Sequence, residues 1–254
     1  MSKMTEQLSN QNLVNLAKQQ HIQEQYNKVP TEIVTLTSQG KVYPKDNVFR
    51  SGQVEMRYMT AYDEDILTNA SYIKQGIVLD KLVEALLISD ASYNDLAKVD
   101  KDGLILNARI LSYGADYPVQ VTDPNTNKKI NKTIDLSKLK TKTIDIESDD
   151  NGEFEYSFNN ITLKWKFPTN DQNVKDDMPI SKFLSLVITQ VNDSRNQIDI
   201  DNFIKYNFLI QDSKKFQKYV IDNTPTTLLE YEFEGEDGGT FKAGFPIGPD
   251  FFWP

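Results

Sequence analysis

A change of hydrophobic period constrains this chain more than anything else in it. Between Thr60 and Gly114 apolar residues recur at helical spacing, whereas between Tyr117 and Phe167 they alternate with polar residues. A segment of period 3.6 cannot bury its apolar side as a strand, and one of period 2 cannot do so as a helix. The first stretch therefore predicts a helical core and the second an antiparallel β part. Thr60 opens a helix with Glu64 and Asp65 in its first turn, Ile66, Leu67, Ala70 and Ile73 as its apolar face, and Gly76 at its end. Ile77, Leu79, Leu82, Val83, Leu86 and Leu87 predict a second, strongly amphipathic helix. LILNARILSYG predicts a third, closed by Gly114.

After Tyr117, YPVQVTD and INKTIDL read as strands around the PNTNKK turn. KTIDIES, GEFEYSFN and ITLKWKFP continue the alternation, with Tyr156, Phe158, Leu163, Trp165 and Phe167 as half-buried strand residues. Helical spacing returns with Phe183, Leu184, Leu186, Val187, Ile188 and Val191. It runs on through DNFIKYNFLIQDSKKFQKYVIDNTP to a stop at Asn223, Thr224 and Pro225. TLLEYEFEG, the turn EDGG and TFKAGFPIG form a closing hairpin. Upstream, TEIVTLT and SGQVEMRYMT read as strands joined by the turn-rich SQGKVYPKDN. The order is strand, helices, strands, helices, strands, which predicts an α+β fold and not alternating βαβ units. It divides into an N-terminal helical or flexible arm (1–30), a strand plus helical core (31–116), an antiparallel β insertion (117–170), a further helical part of the core (171–225), and a C-terminal hairpin with an aromatic tail (226–254). The arm is rich in Gln and Asn, with Leu8, Leu13, Leu16, Ala17 and Ile22 at loosely helical spacing.

Composition removes several classes of function. The net charge of −9 disfavours binding to phosphate backbones, so no nucleic-acid partner is expected. Cysteine is absent, which excludes disulfides and thiolate metal sites. The N-terminus MSKMTEQLSNQNL has no apolar h-region, and no apolar run reaches the roughly 18 residues of a membrane span. The single histidine, His21, lies in the Gln-rich arm, which leaves Ser-His-Asp, Cys-His and zinc chemistry without residues. The carboxylate pairs Asp63/Asp65, Asp149/Asp150, Asp176/Asp177 and Asp199/Asp201 are sequence neighbours in polar stretches; a glycosidase needs its pair held apart across a cleft. DIESDDNGE sets Asp145, Glu147 and Asp149 at calcium-loop spacing, but its glycine, Gly152, is misplaced for an EF-hand, so the stretch reads as a β-turn. Neither an enzyme nor a cofactor is expected.

Two features point to protein contacts. Lys128, Lys129, Lys132, Lys138, Lys140 and Lys142 form a candidate basic patch in an acidic chain, suited to an acidic protein partner. The terminal FPIGPDFFWP places Phe245, Phe251, Phe252, Trp253 and Pro254 where a free end is normally polar. Each buried aromatic covers roughly 150–250 Å², so this tail is expected either to lock onto its own core or to dock on a partner.

The turn with Gly40 and Tyr43, the stretch VEMRYMTAYDEDIL, the helix IVLDKLVEALLI, then DGLILNARILSYGADYPV, DSKKFQKYVIDNTP and FPIGPDFFWP follow one another in an order that resembles a known family. It is the baseplate hub and hub-assembly-chaperone family of T-even-type contractile-tailed phages, and the likeness covers residues 32–254. Its most specific pieces are MRYMT-x-x-DE, R-x-x-SYG-x-x-Y and FFWP; none is catalytic. The resemblance implies a structural component of the baseplate hub, assembled in the host cytoplasm and held in the virion within a symmetric hetero-oligomer of hub and tail proteins. The alternative it leaves open is a transient hub-assembly chaperone that is not retained in the virion. A cell-wall hydrolase working through a carboxylate pair is a third reading, without motif support. Some relatives carry cysteine pairs in the hairpin after SYG and in the last hairpin, as a zinc ribbon would. Here those turns read DPNTNKK and EGEDGG, so no metal role carries over.

Overall fold

The computed structural model describes residues 29–88, 92–172, 174, 177–235 and 238–253. The expected arm over residues 1–28, with His21, and Asp176 and Pro254 lie outside the described residues. The fold is α+β: among the described residues, seven helices accompany several small antiparallel sheets.

Strands β1 (Thr31–Thr35) and β2 (Gln53–Arg57) pair antiparallel from Thr31↔Arg57 to Thr35↔Gln53. The loop between them closes with the Leu36 N–H donating to the Gly52 carbonyl at 2.9 Å. Gly40 sits in it at φ 81°, and a Cβ there would lie 2.4 Å from the Arg50 carbonyl oxygen, so only glycine fits. Helices α1 (Ala61–Leu67), α2 (Ala70–Gln75), α3 (Val78–Leu86) and α4 (Lys98–Tyr113) follow. Helix α3 buries Val78, Leu82, Val83 and Leu86, and α4 buries Leu104, Ile105 and Ala108. Hairpin β3–β4 (Asp116–Thr122, Lys129–Asp135) leads to the short β5 (Thr141–Lys142), which pairs with β9 (Thr226–Thr227).

The second half is built around β6 (Phe154–Phe158), β7 (Ile161–Trp165) and β8 (Ile188–Val191), in the order β6-β7-β8. Helices α5 (Ile180–Val187), α6 (Gln197–Tyr206) and α7 (Ile210–Asp222) accompany it. An aromatic cluster fills this region: the Trp165 ring lies 5.0 Å from Phe154, 5.0 Å from Phe167 and 6.0 Å from Phe216. Strands β10 (Glu230–Glu234) and β11 (Thr240–Gly244) form the last hairpin, and a 3-10 turn over Pro249–Phe252 ends the described chain. One hydrophobic cluster runs from Val34 through Leu82, Leu104 and Trp165 to Phe252.

Several elements differ from the expected pattern, some for local reasons and some through tertiary packing. The single helix expected from Thr60 to Gly76 is two, because the Asn69 side chain accepts from the Ser71 and Tyr72 amides and starts a new helix. The third helix starts at Lys98, six residues ahead of the apolar LILNARI stretch, because Asp100 in its first turn is buried by polar contacts. KTIDIES is strand only at its first residue, Lys142, the end of β5. The rest of it bonds the β1–β2 loop through side chains, with Glu147 on Lys41 at 2.7 Å and Ser148 accepting from Arg50 at 2.9 Å. Ile188 and Val191 are not helical: the helix stops at Val187, and β8 pairs Ile188 with Trp165 and Val191 with Leu163. The β-branched run Val187-Ile188-Thr189 suits that strand. The long helix expected through DNFIKYNFLIQDSKKFQKYV breaks at Asn207–Leu209, where buried Phe208 turns in between Phe203 (5.1 Å) and Phe216 (6.0 Å).

Candidate functional site

The motif residues lead to three buried polar joints. In MRYMT-x-x-DE, the Arg57 guanidinium donates from both Nη atoms to the two oxygens of Asp63, each at 2.7 Å. Asp63 in turn accepts from the Thr60 amide at 2.7 Å and the Thr60 hydroxyl at 3.1 Å, so strand β2 and the start of α1 form one unit. Burial acts to raise the Asp63 pKa, but the bonds from Arg57 and Thr60 outweigh it and hold the carboxyl below its ordinary value.

In the Gly40–Tyr43 turn, fully buried Asp100 accepts from the Ser38 amide (2.7 Å), the Ser38 hydroxyl (2.8 Å) and the Tyr43 hydroxyl (2.6 Å). The Ala97 amide donates to the Tyr43 oxygen at 3.0 Å, which ties the β1–β2 loop to the start of α4. Burial pushes the Asp100 pKa up despite these bonds.

The third joint answers for the aromatic tail. Phe251 and Phe252 are 1% and 0% exposed, inside the chain's own core. Arg109 of R-x-x-SYG-x-x-Y, itself 1% exposed, donates from Nε to the Phe251 carbonyl at 3.2 Å and from Nη1 to the Gly114 carbonyl at 3.3 Å. Its guanidinium lies 4.7 Å from the Tyr113 ring centre and 5.7 Å from that of Tyr117. Tyr117 packs on Phe251 at 5.0 Å and on Phe245 at 5.8 Å, and Phe245 stacks on Phe251 at 6.2 Å. Every fixed residue of the SYG motif except Ser112 therefore meets Arg109 or the tail. Ser112 accepts from the Met59 amide at 3.2 Å. Of the described tail aromatics only Trp253, 40% exposed, faces outward. Sequence reasoning singled out Phe251 and Phe252 but not Arg109 as their holder; the sole signal was a charge within the largely apolar stretch LILNARIL.

The lysines do not form one patch. Lys128 and Lys129 sit at the tip of hairpin β3–β4 and Lys138 follows its base, about 20 Å apart at roughly 3.4 Å per strand residue. Lys129 and Lys132 are an odd number of residues apart, so they point to opposite faces. Lys138 pairs with Asp135 at 3.2 Å and Lys142 donates to the Ile221 carbonyl at 3.0 Å, while Lys140 is exposed.

The carboxylate pairs are likewise separated into single roles. Asp63 is held by Arg57, while Asp65 is exposed. Asp149 takes Lys164 at 2.7 Å and the Asn151 and Glu153 amides, which makes DIESDDNGE a side-chain-closed turn. Asp199 and Asp201 accept from Ser194 and Ser185, both at 2.6 Å. Among the described residues no group of three or more His, Asp or Glu could hold a metal ion, and no helix is long and apolar enough to cross a membrane. An apolar cavity of about 400 Å³ opens beside Phe167, Phe183, Val187, Phe216 and Val220, with Lys166, Gln217 and Thr224 also on its lining. Bulky apolar side chains stay outside at the α6–α7 turn: Tyr206 (66% exposed), Leu209 (67%) and Ile210 (74%).

Compared with protein families, residues 29–237 match the family described as T4 bacteriophage base plate protein. Comparison with curated proteins and with solved structures finds no similar chain.

Proposed function

The chain belongs to the T4 bacteriophage base plate protein family, and we propose that within the baseplate it is a resident hub subunit that acts through protein–protein contacts alone. Membership makes it a structural protein of a phage tail. The resident role is supported above all by the α6–α7 turn, where Tyr206, Leu209 and Ile210 expose bulky apolar surface within five residues. Clustered apolar surface of this kind marks a protein–protein contact. The motifs shared with the hub family support a role without chemistry, since Arg57, Asp63, Arg109 and Phe251 are spent on holding this fold. A murein zymogram is expected to stay blank.

The test is quantitative mass spectrometry of purified virions and isolated tails. A fixed low copy number relative to the tail-tube protein is the expected result. Presence in infected-cell lysate with absence from virions would instead make the chain a transient hub-assembly chaperone.

A further inference from the structure

Hairpin β3–β4 has two unlike edges. At its base the Leu136 amide donates to the Ala115 carbonyl at 2.9 Å, and at its tip the Asp123 amide donates to the Lys128 carbonyl at 2.9 Å. Hydrogen-bonded pairs alternate along an antiparallel ladder. With the register Asp116↔Asp135 to Thr122↔Lys129, they fall on Tyr117–Ile134, Val119–Lys132 and Val121–Ile130. The main chain of Pro118, Gln120 and Thr122 therefore points outward from β3, and that of Lys129, Asn131 and Thr133 outward from β4. Pro118 has no N–H and closes the β3 edge. The β4 edge is unbroken: Lys129, Asn131 and Thr133 are all exposed, and none has a second backbone partner among the described residues.

The side chains give this edge a sign. Lys129 and Lys132 are exposed, and neither joins an ion pair among the described residues, unlike Lys138. Lysine on an open edge repels most strands, because pairing would strip its hydration. An acidic strand reverses that balance. On the inner face, Lys132 stands between half-buried Ile130 and buried Ile134, so an added strand would meet apolar, cationic and apolar side chains in turn.

We propose that the β4 edge is a strand-addition site for an extended, acidic segment of another baseplate protein. Main-chain bonds to Lys129, Asn131 and Thr133 supply the affinity, and Lys129 and Lys132 select the charge. The inference rests on the baseplate reading.

The experiment compares amide hydrogen exchange over residues 129–133 in the free chain and in purified tails. Exchange in tails is expected to be slower by roughly a hundredfold or more. Asn131→Pro removes one outward donor and leaves the main-chain ladder intact, losing only the exposed Gln120–Asn131 side-chain bond, so it should melt close to wild type yet enter tails at least tenfold less. The charge-reversed Lys129→Glu/Lys132→Glu chain should do the same. Wild-type chain present in tails with unprotected β4 amides overturns the strand site and leaves the hub reading standing. Wild-type chain absent from tails overturns both. Normal incorporation of the charge-reversed chain overturns the acidic partner. Protection that arises in the purified chain alone and fades on dilution would make the occupant a second copy, which also overturns it.

Discussion

Arg57 and Arg109 are both buried, at 7% and 1% exposure, yet they are held in opposite ways. Arg57 meets a carboxylate six residues away, within one strand–helix junction. Arg109 meets a carbonyl 142 residues away and two aromatic rings, with no carboxylate among its contacts to the described residues. The first joint is ionic and mostly local, with one further bond from Arg57 Nε to the Ala85 carbonyl of α3 at 3.1 Å. The second exists only when the end of the chain has come home. Burying a cation needs compensation in either case, and the two solutions should fail differently.

The sharpest break is to remove the distant half. A chain ending at Pro249 loses Phe251 and Phe252, each worth about 3–5 kcal/mol as a buried aromatic. Together these approach the whole stability of an ordinary domain, about 5–15 kcal/mol. The truncated chain is expected to lack a cooperative melting transition by circular dichroism. A wild-type transition would show that the tail contributes nothing to the core.

Next comes the ionic joint. Asp63→Ala leaves the Arg57 charge buried without its partner and should cost about 3–5 kcal/mol. At roughly 2–4 °C per kcal/mol for a domain of this size, Tm falls by about 6–20 °C. The double variant Arg57→Met/Asp63→Leu removes both charges and should lie within about 1–2 kcal/mol of wild type. A double variant as weak as the single one would mean that the pair matters for more than charge compensation.

Acidity separates the joints further. Burial works against the Asp63 carboxylate, but Arg57 and Thr60 win, so its pKa in the folded chain lies below the unfolded value of about 3.9. A depressed carboxylate contributes stability that is present above the unfolded pKa and lost as pH falls through the folded one. Wild type should therefore lose more stability than the double variant as pH drops below about 4. Arg109→Met should leave that acid limb unchanged, because no carboxylate of the described residues faces the guanidinium. Urea midpoints between neutral pH and pH 3 would show it, and parallel curves for wild type and the double variant would count against the ionic account.

The same contrast explains what the sequence could tell. Local features were legible: the Thr60 cap, the α3 face from Val78 to Leu86, the β3–β4 and β10–β11 hairpins, and the stop at Asn223. Each depends on residues a few positions apart. Strand β8 was not, because Ile188–Val191 carries apolar spacing that fits a helix, and only its pairing with β7 decides otherwise. Phe208 breaks a helical run for the sake of Phe203 and Phe216. Arg109 is legible only as part of R-x-x-SYG-x-x-Y, because its partner Phe251 lies 142 residues away. The edge difference in β3–β4 was half legible, since Pro118 could be seen but not which way its main chain faced.

Asn69 tests the smallest instance of local against distant control. Helical periodicity alone reads Thr60 to Gly76 as one helix, and alanine is a better interior helix former than asparagine. If local preference ruled, Asn69→Ala would fuse α1 and α2 and stabilise the chain. The structure sets Asn69 at ψ 107°, outside the helix, with its side chain accepting from two amides at 3.0 and 3.1 Å. Helix α1 is fixed at one end by the Arg57 joint and through buried Leu67 at the other, so it has no freedom to continue in line with α2. The substitution should then cost the cap, about 1 kcal/mol, and lower Tm by roughly 2–4 °C. The sign of the shift decides: a higher Tm would mean that the break at Asn69 is a preference of the sequence and not a demand of the packing around it.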